Sequence, residues 1–299
     1  MEEQTMFRRL ISSGFVSALV LIAAMAMVSC ERVVSSDGDE ISADKSGNLR
    51  VRVFQIDKTP FAATRAAASE ACSRLNFAIY NNDGSRVKQL NQLATDKNFG
   101  MASFQLDEGD YMLVVVGHSA NGNPTMTNAQ KISFTNAQGY TDTFLASGDI
   151  TIGDEPEEMD LTLERIVALC CFCITDDFPA DVAKMQFYYT GGSGAFSAYT
   201  GLGSVNSKQT VTFDVSSVAQ KQFDLYTFLH EPADNIALKV TAFDAAGNTL
   251  YERDFDVPME QNHITWLAGD FFNGSGSSST TVTGVTVNTD WAGETHLTF

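Results

Sequence analysis

The densest group of reactive side chains in the sequence is Cys170-Cys171-Phe172-Cys173. A C-x-x-C pair could exchange disulfides or supply half of a tetrahedral zinc set. The neighbouring residues oppose both roles. They are uncharged from 166 to 174, as in a buried strand, where Cys171 and Cys173 share one face and Cys170 and Phe172 the other. Cys72 stands alone, so no second pair completes a metal set, and thiols packed as small apolar groups are the expectation. Gly191-Gly192-Ser193-Gly194 approaches a nucleophile elbow, but Ala195 stands where G-x-S-x-G needs glycine. His230-Glu231 runs into Pro232 and fails H-E-x-x-H, and His118, His230, His263 and His296 have no metal spacing. The acidic run Asp154-Glu155-Pro156-Glu157-Glu158 lacks the alternating ligands and glycine of a calcium loop and reads as a solvated turn. No glycine-rich phosphate loop follows a strand and opens a helix. These residues imply no catalytic group, no metal site and no cofactor, so the chain is not expected to be an enzyme.

One cysteine has a different setting. Arg8 and Arg9 precede an uncharged run over residues 10–28, and Met27-Val28-Ser29-Cys30 then reads as a bacterial lipobox. On that reading residues 1–29 are a lipoprotein signal peptide, Cys30 carries the lipid, and residues 30–47 are a polar flexible tether. A permanent membrane helix and an ordinary secretory signal are the alternatives for the same run. Each buried acyl CH₂ contributes about 0.8 kcal/mol, so two or three chains on Cys30 would fix the protein to an outer membrane. Asp37, Asp39 and Glu40 give the tether an acidic start similar to surface-export signals of Gram-negative lipoproteins.

Elements able to hold such side chains in place are mostly strands. The chain has 299 residues, enough for two domains, and 44% of them are hydrophobic, as in a globular protein. With 37 acidic against 19 basic residues the net charge is −18, which repels phosphate backbones and excludes nucleic acid as a partner. Leu49-Arg50-Val51-Arg52-Val53 alternates, and Leu75, Phe77 and Ile79 alternate up to the hairpin signal Asn82-Asp83-Gly84. Residues 85–97, with Val87, Leu90, Leu93 and Ala94 at helical spacing, are the best helix candidate. Strand patterns return at 111–116, 159–163, 166–174, 185–189, 211–215, 223–229, 236–243, 249–257 and 264–267. Residues 274–279 form a Gly/Ser linker before a last strand-like segment over 282–299. Short strands with regular turn signals predict an all-β sandwich architecture with a join near Glu164-Arg165.

Several phrases of this sequence resemble the Bacteroidales fimbrillins, the FimA/Mfa-type pilus subunits and FimB-type anchor or accessory subunits. They are the lipobox, Leu75-Asn76-Phe77-Ala78-Ile79-Tyr80 with its Asn-Asp-Gly turn, Glu108-Gly109-Asp110-Tyr111, and Leu163-Glu164-Arg165-Ile166-Val167-Ala168. The resemblance covers residues 48–270. It implies two tandem transthyretin-like Greek-key β-sandwich domains with one or two short helices, here residues 48–164 and 165–299. It also implies a structural, anchor or accessory role in a surface fimbria, with other fimbrial subunits as partners through β-strand addition and the outer membrane as partner through the lipid. In polymerising members an Arg-directed protease removes the N-terminal strand, and a neighbour's C-terminal strand enters the groove.

On that expectation residues 49–56 are the removable strand or a permanent one. Arg65, in Ala63-Thr64-Arg65-Ala66-Ala67-Ala68, is the candidate processing site, with Arg50, Arg52 and Arg74 as competitors. Residues 282–299 are a donor strand or return to their own sheet. The alternative function is a glycan- or ligand-binding surface lipoprotein, in which Tyr188, Tyr189, Tyr199 and Trp291 would stack on sugars.

Overall fold

Alternating side chains, and turns set by Gly, Asn and Asp, divide the chain into strands. The computed structural model describes residues 47–57, 65–66, 68–217, 221–273 and 291–299. Its strands are β1 (Leu49–Asp57), β2 (Arg65–Ala66), β3 (Arg74–Asn81), β4 (Arg86–Leu93), β5 (Met101–Phe104), β6 (Gly109–His118), β7 (Thr125–Asn128), β8 (Lys131–Ser133), β9 (Thr143–Ile152) and β10 (Glu157–Arg165). They continue as β11 (Ala168–Ile174), β12 (Lys184–Thr190), β13 (Gly192–Ser193), β14 (Ala195–Phe196), β15 (Gln209–Asp214), β16 (Gln222–Leu229), β17 (Ala233–Phe243), β18 (Thr249–Glu260), β19 (His263–Gly269) and β20 (Gly293–Thr298). Helix is confined to α1 (Ala68–Ala71) and a 3-10 turn at Val215–Ser217. The all-β expectation with one or two short helices holds. Among the described residues no helix is long and apolar enough to cross a membrane.

The helix expected over 85–97 is instead β4. The Asn82-Asp83-Gly84 turn, with Gly84 at φ 81°, folds the chain straight back so that Phe77 faces Leu90 and Arg74 faces Leu93. Pairing with β3 satisfies the backbone and overrides the local period. Val87 and Leu93 are exposed, so the apparent helical stripe was never a core face.

The first ten strands, apart from β7 and β8, form an 8-stranded sheet in the order β2-β1-β10-β9-β6-β3-β4, with β5 also on β1. One core lies against it, built from Leu49, Val51, Val53 and Ile56 of β1, Phe77 and Ile79 of β3, Phe104, Val115, Phe144 and Leu163. The later strands form a 5-stranded sheet, β13-β16-β11-β19-β20, and a 4-stranded sheet, β15-β12-β17-β18. Phe172, Phe187, Phe223, Leu238 and Val257 fill a second core between them. Full burial of such a side chain contributes about 1.5–3 kcal/mol.

A third core joins the two sets. Ala78, Tyr80, Val114 and Val116, on the other faces of β3 and β6, pack with Leu169 and Cys171 of β11, Phe196, Phe228, Ile264 and Trp291. A 3-stranded sheet, β14-β8-β7, stitches the same place, with Ala195 paired to Ser133. Strand β11 therefore runs through the middle of its sheet with both faces buried, as its uncharged sequence predicts.

Candidate functional site

The cysteines, Ser193 and His118 are placed as packing and bracing groups. Cys170 lies in the core with Phe172, while Cys171 lies with Leu169 in the core that joins the two sets of strands, as the strand reading expects. Burial pushes the Cys72 thiol up to about 12 and the Cys173 thiol up to about 11, and it raises Cys170 and Cys171 as well. All four stay protonated and unreactive at neutral pH. The Ser193 hydroxyl is buried and donates to the Ala195 carbonyl at 2.5 Å, so it is a turn brace. His118 is buried too, and the Ala120 N–H donates to its Nδ1 at 3.1 Å, which places the ring proton on Nε2, facing Asn76 Oδ1 at 2.8 Å. Burial, helped by the Arg74 charge, lowers its pKa to about 3. No group of three or more His, Cys, Asp or Glu among the described residues could hold a metal ion.

What is distinctive lies at the two ends of the described chain. β1 points Leu49, Val51, Val53 and Ile56 into the core, and Arg50, Arg52 and Phe54 outward. It runs parallel to β10 from Leu49↔Glu157 to Asp57↔Glu164, antiparallel to β5, and antiparallel to β2 at Ile56↔Ala66 and Asp57↔Arg65. The register slips between Val53 and Gln55, so Phe54 is an extra, bulged residue and is 60% exposed. The bulge shifts the inward phase by one, which is why Ile56, not Gln55, enters the core. Along the wet face Arg50 pairs with Glu158 at 2.7 Å and Arg52 pairs with Asp160. The hydrogen bond from Arg52 holds the Asp160 carboxyl below the usual range. Solvent screens exposed pairs of this kind, so ladder and apolar face hold the strand.

β20 is the other end. Gly293–Thr298 runs parallel to β19, from His263↔Gly293 to Ala268↔Thr298, at the edge of the 5-stranded sheet. Gly293 lets the His263 ring lie close over the strand, since a Cβ there would meet the ring at 2.4 Å and displace it. The Phe299 ring stacks on Phe172 with centroids 5.0 Å apart and meets Phe255 at 4.8 Å. Asp176 fixes the chain at the point where it leaves β19, since its carboxylate accepts the N–H groups of Phe271, Phe272 and Asn273 at 2.7–2.9 Å. Of the two roles weighed for residues 282–299, the described part takes the one that returns to its own sheet; residues 274–290 lie outside the described residues.

Ahead of β20, Trp291 is buried against Arg165, the last residue of β10, with the guanidinium carbon 3.8 Å from the ring centroid. Arg165 grips Asp142 through Nε and Nη2, both at 2.7 Å, and donates from Nη1 to Asn262 Oδ1 at 3.0 Å. Asn262, at φ 57° in the β18–β19 turn, also accepts the Ala292 N–H on its carbonyl at 2.9 Å. Sequence reasoning missed this constellation, because nothing local links Trp291 to Arg165.

Other expected residues are scattered. Arg65 has its backbone paired to Asp57 of β1. Cys30 lies outside the described residues. Of the aromatics weighed for stacking on sugars, Tyr189 and Trp291 are buried, Tyr188 is half-buried and Tyr199 is exposed. They do not make one aromatic platform.

A family model described as a family of unknown function, DUF6562, matches residues 44–298. No curated protein matches the chain significantly. Among solved structures, a proposed adhesin from Bacteroides ovatus is 16% identical with a TM-score of 0.47, covering 75% of this chain and 88% of that one. The fimbrial anchor protein Mfa2 from Porphyromonas gingivalis is 15% identical with a TM-score of 0.40, covering 69% of this chain and 81% of that one. A fimbrial assembly protein from Parabacteroides distasonis is 9% identical with a TM-score of 0.38, covering 74% and 90%.

Proposed function

The chain belongs to the DUF6562 family, and from that premise we propose that it is a structural, anchor or accessory subunit of a surface fimbria, assembled by strand exchange and supporting adhesion. The observation that carries this reading is β1. It is an extended strand near the start of the described chain, with four alternating apolar side chains in a core and a solvated outer face. Taking such a strand out leaves a groove with pockets at the positions of Leu49, Val51, Val53 and Ile56, lined by the backbones of β10 and β5. An extended strand from a neighbouring subunit can fill a groove of that form, the backbone ladder supplying affinity and the pockets specificity.

The other parts follow from the sequence. Cys30 carries the lipid that anchors the chain to the outer membrane, facing outward. Cleavage at Arg65 separates β1, and everything before it, from the body; a subunit left uncut keeps the anchor and the filled groove. Residues 48–164 and 165–299 act as two sandwich domains. Support for that division is that the 8-stranded sheet ends with Arg165 and the next strand enters another sheet.

Outer-membrane material from cells expressing the chain tests this. Acyl groups on Cys30, and a ladder of high-mass species that survives detergent until boiled, are expected. A lone monomer that is retarded by polysaccharide and forms no ladder would instead favour the glycan-binding reading.

A further inference from the structure

Trp291 is buried at the start of the described C-terminal segment; farther along, the Glu294 side chain is 6% exposed and accepts the Trp266 Nε1–H at 3.2 Å, and Leu297 and Phe299 pack on the second core. Its strand gains a ladder on one side only, from β19. The indole holds the N-terminal end of this segment, as Phe299 holds the other. Its seat is unusual. The ring lies 3.8 Å from the Arg165 guanidinium, whose side chain is 1% exposed, and it touches Tyr226 on the far side of β11 at 6.4 Å. A cation–π contact gains strength when water is excluded, and a buried ion pair weakens when water reaches it. Arg165 ends β10, Asp142 immediately precedes β9, and Asn262 turns β18 into β19. The indole thus covers the polar knot by which these three places are joined, while Ala292 is hydrogen-bonded to the same Asn262.

We infer that Trp291 is a two-way latch: it seats β20 on β19 and, through the Arg165 guanidinium, holds the ends of β10 and β9 against the β18–β19 turn. Lifting the indole hydrates the Arg165–Asp142 pair and loosens that junction. Loosening the pair unseats the indole and frees β20, because a coupling free energy acts equally in both directions. The latch is intramolecular and stands whether or not the chain assembles into fibres.

Hydrogen exchange on the full chain in detergent micelles tests it, with the doubly buried β11 amides as internal reference. Trp291→Ala is expected to speed exchange about tenfold both in β20 and at residues 142–144 and 165–167, with β11 unchanged. Trp291→Phe keeps a ring over the cation and should lie near the parent. Asp142→Asn is the reciprocal arm and should speed exchange in β20 several-fold through Arg165 alone. The latch is overturned if Trp291→Ala affects β20 but not 142–144 and 165–167, if Asp142→Asn leaves β20 unchanged, or if acceleration is uniform and includes β11.

Discussion

β1 and β11 hold matching places. Each is the first strand of its set, each lies parallel to a later strand (β10 or β19), and each is antiparallel on its other side, β1 to β2 and β5 and β11 to β16. Their faces differ. β1 buries one side and sets Arg50, Arg52 and Phe54 in water against Glu158 and Asp160. β11 buries both sides, Cys170 and Phe172 in one core and Leu169 and Cys171 in another. A strand fixed by a backbone ladder and one row of apolar side chains can be replaced by any strand with the same row. A strand shared by two cores cannot, because a substitute must satisfy both at once. The fold thus contains the same parallel pairing twice, once with a strand buried on one face and once with a strand buried on both.

Charge placement breaks or sharpens this contrast most strongly. Leu169→Asp puts an unpaired carboxylate into a dry core and is expected to destabilise the chain by on the order of 5 kcal/mol, enough to unfold it. Phe54→Asp, on the wet face of β1, should change stability by less than about 1 kcal/mol. Urea unfolding followed by circular dichroism measures both, and comparable losses at the two sites would remove the distinction.

The next effect concerns the buried back face of the first sheet. His118 has its pKa lowered to about 3 from 6.5, chiefly by burial, so the unfolded chain takes up a proton that the folded chain refuses. Stability is complete above pH 6.5 and falls as pH drops toward 3, by up to about 1.4 kcal/mol per unit. Carboxylates held low by partners, such as Asp160, lose their contributions only at lower pH, near and below the ordinary carboxylate range. Between pH 6.5 and 4.5 the urea midpoint of the parent should therefore fall more steeply than that of His118→Gln. Equal slopes would show that the ring is not held neutral.

Of the two strands, β11 was the more legible in sequence. Nine residues without a charge, 166–174, read as a strand hidden on both sides, of which 168–174 form β11, and the separation of Cys170 from Cys171 follows from its period of two. β1 was legible as a strand from its alternation. Its partner was not, since Arg50 and Glu158 stand 108 residues apart and no local pattern names a parallel neighbour. Residues 85–97 misled because Val87, Leu90 and Leu93 fit a helix, while the turn before them already committed the chain to a hairpin. By residue type alone Trp291 is one of the aromatics able to stack on sugar. Only tertiary structure shows it covering Arg165.

The exchangeability of β1 is open to direct measurement. A full chain with a protease site placed within residues 58–64 is folded, cut, and offered a fluorescent peptide of residues 48–57. The expected result is that the cut chain takes up the labelled peptide in place of its own strand, that the uncut chain does not, and that a peptide with Asp at the positions of Val51 and Val53 is refused. A cut chain that keeps its own strand and takes up no peptide, or that accepts both peptides alike, would contradict the claim that β1 occupies a strand-exchange groove.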